Sequence, residues 1–186
     1  MKIVVLDGYA LNPGDLDWSS LKRLGDTKIY DRTSENEILQ RVKNADIILT
    51  NKTPLTKEII NSCNQLKLIS VLATGYDIID VDTANQRGIV VCNVPSYGTY
   101  SVSQFAIALL LEICCQVGYH SQEIFQGKWT ENKEWCFWDR PLIELYQKTM
   151  GIIGYGRIGQ RTGEIARALG MHVIANDKYF AKEDTE

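Results

Sequence analysis

A glycine-rich segment near the end of the sequence constrains the fold more than any other feature. Residues 150–153 are an apolar run without polar alternation, which is typical of a strand buried on both faces. Gly154, Gly156 and Gly159 follow in G-x-G-x-x-G spacing, and a helical pattern leads to a second apolar strand that ends at Asp177. This order of strand, glycine loop, helix and strand predicts a βαβ unit that binds a dinucleotide.

Each residue of this motif has a physical role. Gly154 permits a tight turn, Gly156 lets a pyrophosphate approach the backbone, and Gly159 allows close packing of helix on strand. N–H groups of the first helical turn face the phosphates. Asp177 is placed to accept hydrogen bonds from a ribose diol, and its charge would repel a 2′-phosphate, which favours NAD over NADP.

Two other interpretations of this segment remain open at this point. A glycine-rich turn can serve packing alone. An S-adenosylmethionine methyltransferase also uses a similar βαβ unit, and thermal stabilisation by NADH but not by S-adenosylmethionine would exclude it.

Composition and charge argue against several classes of partner. The net charge of −3 gives no electrostatic reason to expect nucleic acid or an anionic membrane surface. The most apolar run, residues 105–115, contains Glu112 and is too short to span a bilayer. Five cysteines form no C-x-x-C pair, so we expect reduced thiols, no metal site and a cytoplasmic location without an export signal.

Short strands alternate with helices through residues 2–92, which predicts a parallel α/β sheet. Residues 15–24 are predicted to form a helix with its leucines turned inward. After a break at residues 95–98, an almost wholly apolar pattern over residues 101–117 predicts a core helix. Residues 122–146 carry three tryptophans among charges and predict an arm that buries aromatic rings against another domain or a second subunit.

With both halves described, the chain resembles the D-isomer-specific 2-hydroxyacid dehydrogenase family over essentially its whole length. Four segments in order carry the resemblance: residues 73–80, 88–95, 101–104 and 154–159. Three further segments are similar to the glycerate dehydrogenase (hydroxypyruvate reductase) branch: residues 127–129, 135–138 and 141–145.

The resemblance implies a flavodoxin-like substrate domain over residues 1–98, followed by a Rossmann NAD-binding domain over residues 99–186. Both domains are expected to be incomplete, and the second is expected to form a homodimer through the arm at residues 122–146. Backbone amides of three residues would hold the carboxylate of a small 2-keto or 2-hydroxy acid: Ala73, Thr74 and Gly75. The residues expected to contact NAD are Val102, Gly154, Tyr155, Gly156, Arg157, Ile158, Gly159 and Asp177.

The resemblance also implies a catalytic Arg, Glu and His, in that order, well after the position of Asp177. The sequence stops at Glu186, so none of the three can be assigned, and the chain is expected to be a C-terminally truncated fragment. His120 and His172 do not fit the catalytic role. An alternative is a noncatalytic NAD-binding regulatory protein or remnant, for which NAD-dependent dimerisation without turnover would be the sign.

Overall fold

A computed structural model describes residues 1–179, and the chain divides into two compact units, Met1–Pro95 and Ser96–Glu186. The division falls three residues before the predicted boundary at residue 98. Both units are built on parallel strands, which confirms the predicted α/β class.

Unit 1 is a five-stranded parallel sheet with the strand order β2-β1-β3-β4-β5. Its strands are β1 (Lys2–Val5), β2 (Asp26–Ile29), β3 (Ile47–Thr50), β4 (Leu68–Val71) and β5 (Val90–Cys92). Its α-helices are α1 (Ser19–Lys22), α2 (Glu35–Val42), α3 (Lys57–Ser62) and α4 (Val81–Gln86). This order is the flavodoxin-like one, in which the carboxyl ends of β1 and β3 lie at a topological switch point.

The core of unit 1 lies between the sheet and its helices. Ile48 and Ile69, at the centres of β3 and β4, are completely buried. Helices α2 and α4 begin at polar caps: a capping box of Ser34 and Glu37 on α2, and Asp80 accepting from Thr83 N at 2.8 Å on α4. In these parts of unit 1, the capping residues and the buried apolar residues therefore favour the same helices and strands.

The predicted helix over residues 15–24 is wrong in length and in the burial of its leucines. The helix spans only Ser19–Lys22, and Leu16 and Leu24 are 64% and 63% exposed. The Asn12 side chain accepts hydrogen bonds from Gly14 N and Leu16 N, so the residues between Asn12 and the helix form a loop. Local side-chain bonding therefore competes successfully with the helical pattern.

Unit 2 contains a parallel pair of strands, β6 (Thr149–Ile153) and β7 (His172–Asn176). Its helices are α5 (Thr99–Cys115), α6 (Val117–Phe125), α7 (Lys128–Glu131) and α8 (Arg157–Ala168). Helix α8 packs against α5 and both strands around a small core. The core residues are Cys114, Leu145, Ala166 and Met171.

The burial predicted for α5 and β6 is not observed. On α5 only Ser103, Ile107 and Cys114 are buried, and Leu110 and Leu111 are partly buried against the core. Phe105, Leu109 and Ile113 on the same helix are exposed. On β6, Ile153 is 93% exposed. Among residues 1–179, β6 and β7 pair only with each other, so this sheet lacks the layers that bury a parallel strand on both faces.

The aromatic arm is held by polar contacts as well as by ring packing. Lys128 Nζ donates to Glu123 Oε2 at 2.9 Å and also to Asp139, which accepts from the Tyr119 hydroxyl. These two carboxylates raise the pKa of Lys128, with Asp139 as the larger cause. The Phe137 ring packs near Trp129 and His120, whereas Trp135 and Trp138 are largely exposed.

In the part of the chain that the structure describes, no single helix is long and apolar enough to cross a membrane. Helices α5 and α6 meet the criteria of length and composition only when taken together, across a bend of 58°.

Candidate cofactor and substrate sites

The glycine loop between β6 and α8 has the backbone geometry that its sequence predicts. Gly154 has φ of +91°, in the left-handed region that favours glycine. A Cβ on Gly159 would overlap the carbonyl oxygen of Gly154, so helix and loop touch backbone to backbone at this point. A Cβ on Gly156 would meet no atom within 4 Å, so the backbone there faces open space.

The first turn of α8 leaves backbone donors available for an anion. Within residues 1–179, the N–H groups of Gly156, Arg157 and Ile158 have no hydrogen-bond acceptor, and all three residues are exposed. Unpaired N–H groups and the positive end of the helix dipole together favour a phosphate. The arrangement fits the pyrophosphate of a dinucleotide.

Tyr155 occupies a supporting position in this loop. Its side chain is buried beneath α8, and its hydroxyl accepts from Arg167 Nη2 at 3.2 Å. Its backbone N–H donates to Asp177 Oδ2 at 2.6 Å. Because both groups are engaged within the protein, Tyr155 stabilises the loop, and a contact between Tyr155 and a cofactor stays a prediction.

Asp177 lies directly after β7 and is connected to the glycine loop. Its Oδ2 accepts from Tyr155 N, and its Oδ1 accepts from Tyr179 N at 2.8 Å. The N–H of Tyr179 and then that of Tyr155 lower the pKa of this carboxyl below its ordinary value. Each oxygen keeps further acceptor capacity, so the ionised carboxylate can still accept hydrogen bonds from ribose hydroxyls.

The loop after β4, in unit 1, presents a second set of unpaired backbone donors. Thr74 Oγ1 donates to Val94 O at 3.0 Å, and Asn93 Nδ2 donates to Thr74 O at 2.8 Å. In the described part of the chain, the backbone N–H groups of Thr74, Gly75 and Tyr76 donate no hydrogen bond. Successive unpaired N–H groups after a parallel strand form a concavity that suits a carboxylate.

The structure places Asn93 and Tyr76 beside the predicted carboxylate loop, and the contact of the Ala73 N–H with a carboxylate stays a prediction. Ala73 is buried, and its carbonyl accepts from Val94 N at 3.1 Å, so it anchors the loop. Asn93 lies in a segment that carries the family resemblance, so its position in the sequence was a usable signal. Its contact with Thr74 depends on the pairing of β4 with β5, which the sequence does not specify.

Val102, expected at the nicotinamide end of the cofactor, lies in the first half of α5. Its backbone N–H donates to Gly98 O at 2.9 Å, and its side chain is 47% exposed. It is therefore accessible, and its contact with a cofactor stays a prediction.

The two histidines occupy structural or peripheral positions. His120 Nδ1 lies 2.9 Å from Gln116 O, and its ring packs beside Phe137. His172 is exposed at the start of β7. Among residues 1–179 there is no group of three or more His, Cys, Asp or Glu side chains that could hold a metal ion.

Comparison with known proteins assigns the family. The D-isomer specific 2-hydroxyacid dehydrogenase family, catalytic domain, matches residues 3–185. The chain belongs to this family. A hydroxypyruvate reductase of Blautia hydrogenotrophica is 60% identical over 182 residues, which cover 96% of this chain and 56% of that protein. A glycerate dehydrogenase of Methylorubrum extorquens is 33% identical over 82% of this chain and 49% of its own length.

Solved structures agree with this family assignment. A D-lactate dehydrogenase from Aquifex aeolicus, complexed with NAD and lactic acid, has a TM-score of 0.73 and 26% identity, covering 98% of this chain and 53% of that one. An acyclic imino acid reductase in complex with NADPH and D-Arg has a TM-score of 0.75 and 30% identity, covering 98% and 58%. The chain spans about half the length of the relatives that it matches.

Proposed function

We propose that the protein is an NAD-dependent oxidoreductase that interconverts a small 2-keto acid and the corresponding D-2-hydroxy acid, with hydroxypyruvate and glycerate as the pair. Unit 1 binds the substrate carboxylate, and unit 2 binds the cofactor. The Arg, Glu and His that the family resemblance implies are not assigned to any residue of this sequence. The present chain therefore supplies binding and orientation.

The observation that carries the proposal is the glycine loop of unit 2. Gly159 touches the backbone of the loop, Gly156 faces open space, and three N–H groups of the helix start are unpaired. A turn that served packing alone would require the first feature and neither of the others. The combination supports dinucleotide binding by this loop.

Asp177 supports NAD as the cofactor. Its lowered pKa keeps it ionised at neutral pH, at the end of the strand that follows the loop. A carboxylate at this place accepts the two ribose hydroxyls of NAD and repels the 2′-phosphate of NADP. Bound NAD supplies the hydride acceptor of the oxidation, and this chain holds it by its phosphates and ribose.

The substrate assignment depends on the carboxylate loop and on the relatives. The unpaired N–H groups of Thr74, Gly75 and Tyr76 suit a small carboxylate. The relative that is 60% identical is a hydroxypyruvate reductase, and another is a glycerate dehydrogenase. These names support hydroxypyruvate as the first substrate to test.

We also propose a homodimer formed through the arm at residues 122–146 and a cytoplasmic location. The exposed rings of Trp135 and Trp138, on an arm fixed by the Lys128 ion pairs, support burial against a second subunit. Five free cysteines support a reducing compartment.

The cofactor assignment is tested by ligand-dependent thermal stabilisation of the chain. We expect NADH to raise the melting temperature more than NADPH does, and S-adenosylmethionine to have no effect. Asp177→Ala should reduce the preference for NADH over NADPH. Stabilisation by S-adenosylmethionine without any by NADH would contradict the proposal, and NADH-dependent dimerisation without turnover by the whole protein would favour the regulatory alternative.

A further inference from the structure

The loop between β3 and α3 is held by one carboxylate. Asp7, two residues after the end of β1, accepts hydrogen bonds from the backbone N–H groups of Asn51, Lys52 and Thr53 at 2.6–3.0 Å. The Thr53 hydroxyl also donates to it at 3.2 Å. Asp7 therefore occupies the switch point between β1 and β3, where sheets of this strand order commonly bind an anionic ligand.

This internal anion has a consequence for the substrate. Because the N–H groups of residues 51–53 are already paired with Asp7, they are not available to an external carboxylate. The unpaired N–H groups at this edge belong to the next loop, at Thr74, Gly75 and Tyr76. The substrate carboxylate is therefore expected beside β4.

Lys52 is the cation that the clamped loop presents at this edge. Its backbone is fixed by Asp7, and Lys52 itself is exposed. Within residues 1–179 its ammonium forms no ion pair or hydrogen bond. A lysine in a fixed loop with an unpaired ammonium is available for a ligand.

The carboxyl ends of β3 and β4 are joined by a hydrogen bond from Leu72 N to Thr50 O, of 2.8 Å. Adjacent strands lie about 4.8 Å apart, so the four-carbon stem of Lys52 is long enough to reach the loop after β4. Asp77, which is exposed in that loop, repels an incoming carboxylate. A cation from the neighbouring loop offsets this repulsion.

We propose that Lys52 is a substrate-binding residue, whose ammonium binds the carboxylate that the N–H groups of Thr74, Gly75 and Tyr76 receive. Asp7 is the positioning residue that fixes Lys52 at this edge. The inference rests on the proposed function, because it assigns one more group to the same substrate. The ligand class is a small 2-oxo carboxylate.

The test is a titration of the chain with oxamate, a carboxylate with an adjacent carbonyl group that cannot be reduced by NADH. Binding is followed by the chemical shifts of the backbone amides of Thr74, Gly75 and Tyr76. Lys52→Met should weaken oxamate binding about five- to tenfold, since it removes one charge-assisted hydrogen bond. Lys52→Arg should retain binding to within about twofold, because it keeps the charge.

Lys43→Met is the matched control. Lys43 is also exposed, and it lies at the end of α2, beside the amino edge of the sheet. It changes the net charge equally and should leave oxamate affinity unchanged. Equal affinity of Lys52→Met and the wild type would overturn the inference.

NADH binding is measured on the same samples to separate the two proposals. Failure of the wild type to bind oxamate would overturn the carboxylate site and the role of Lys52 together. If NADH still bound in that case, the cofactor part of the proposed function would stand. Loss of NADH binding with oxamate binding retained would contradict the cofactor part alone.

Discussion

The two units use the same alternation of strand and helix, yet they bury their apolar residues to very different extents. In unit 1, Ile48 and Ile69 lie in inner strands of a five-stranded sheet and are completely buried. In unit 2, Ile153 and Ile174 lie in a two-stranded sheet and are 93% and 62% exposed. The difference in burial between these similar apolar strands therefore comes from the elements that surround them and not from their own residues.

The comparison separates structural features that depend on neighbouring segments of the chain from features that depend on the complete sheet. Pairing of β6 with β7 and packing of α8 form without a complete sheet, because they depend on neighbouring segments of the chain. Burial of a parallel strand on both faces requires further strands and helices. The positions of the two glycine-containing loops belong to the first kind, since each loop directly follows a strand.

The largest expected effect comes from the core of unit 1. Ile48→Ala should lower the free energy of unfolding of unit 1 by about 3 kcal/mol, because it leaves a cavity at a fully buried site. Ile153→Ala, at the exposed strand of unit 2, should change stability by less than about 0.5 kcal/mol. The two stability changes are measured by denaturation, followed by hydrogen exchange of peptides from each unit. Equal losses of stability in the two variants would contradict the difference in burial between the units.

A pair of glycine substitutions tests local packing in unit 2. Gly159→Ala should lower the stability of unit 2 by about 2 kcal/mol, because its Cβ overlaps the Gly154 carbonyl. Gly156→Ala, at the helix cap facing open space, should cost less than about 0.5 kcal/mol while weakening NADH binding. Hydrogen exchange of α8 measures the loss of stability, and an NADH titration measures the loss of affinity. A Gly159→Ala variant as stable as the wild type would show that loop and helix are not in close contact.

The smallest expected effect is the pH dependence of the contact between Asp177 and the glycine loop. The pKa of this carboxyl is lowered in the folded chain, so its contribution to stability is present above its ordinary value of 3.8 and is lost as pH falls through the folded value. The chemical shift of the Tyr155 amide should therefore change only below about pH 4. Asp177→Asn should abolish this titration, and a Tyr155 shift that titrated near neutral pH would contradict it.

Much of the fold and part of the candidate sites could be predicted from sequence. The alternation of elements, the turn at Gly154 and the close packing at Gly159 each depend on a few adjacent residues, and the structure has them as predicted. The helix over residues 15–24 failed because the Asn12 side chain bonds to the backbone of the following loop. A hydrophobic pattern contains no information about such hydrogen bonds between a side chain and the nearby backbone.

The core helix prediction for α5 failed for a different reason. Two of its apolar residues, Phe105 and Ile113, are 65% and 70% exposed. The sequence reports how apolar a helix is, whereas burial depends on what packs against each face. Helix α8 covers one face of α5.

The sequence by itself determined the family, the parallel α/β class and the identity of the glycines, because these depend on residue order and local conformation. Only the tertiary structure decided which donors are free. Asp7 lies more than forty residues from the three N–H groups that it binds, and their pairing leaves Lys52 and the loop after β4 available. Contacts between distant segments arise from the order of strands in the sheet, and for that reason the sequence pattern did not reveal them.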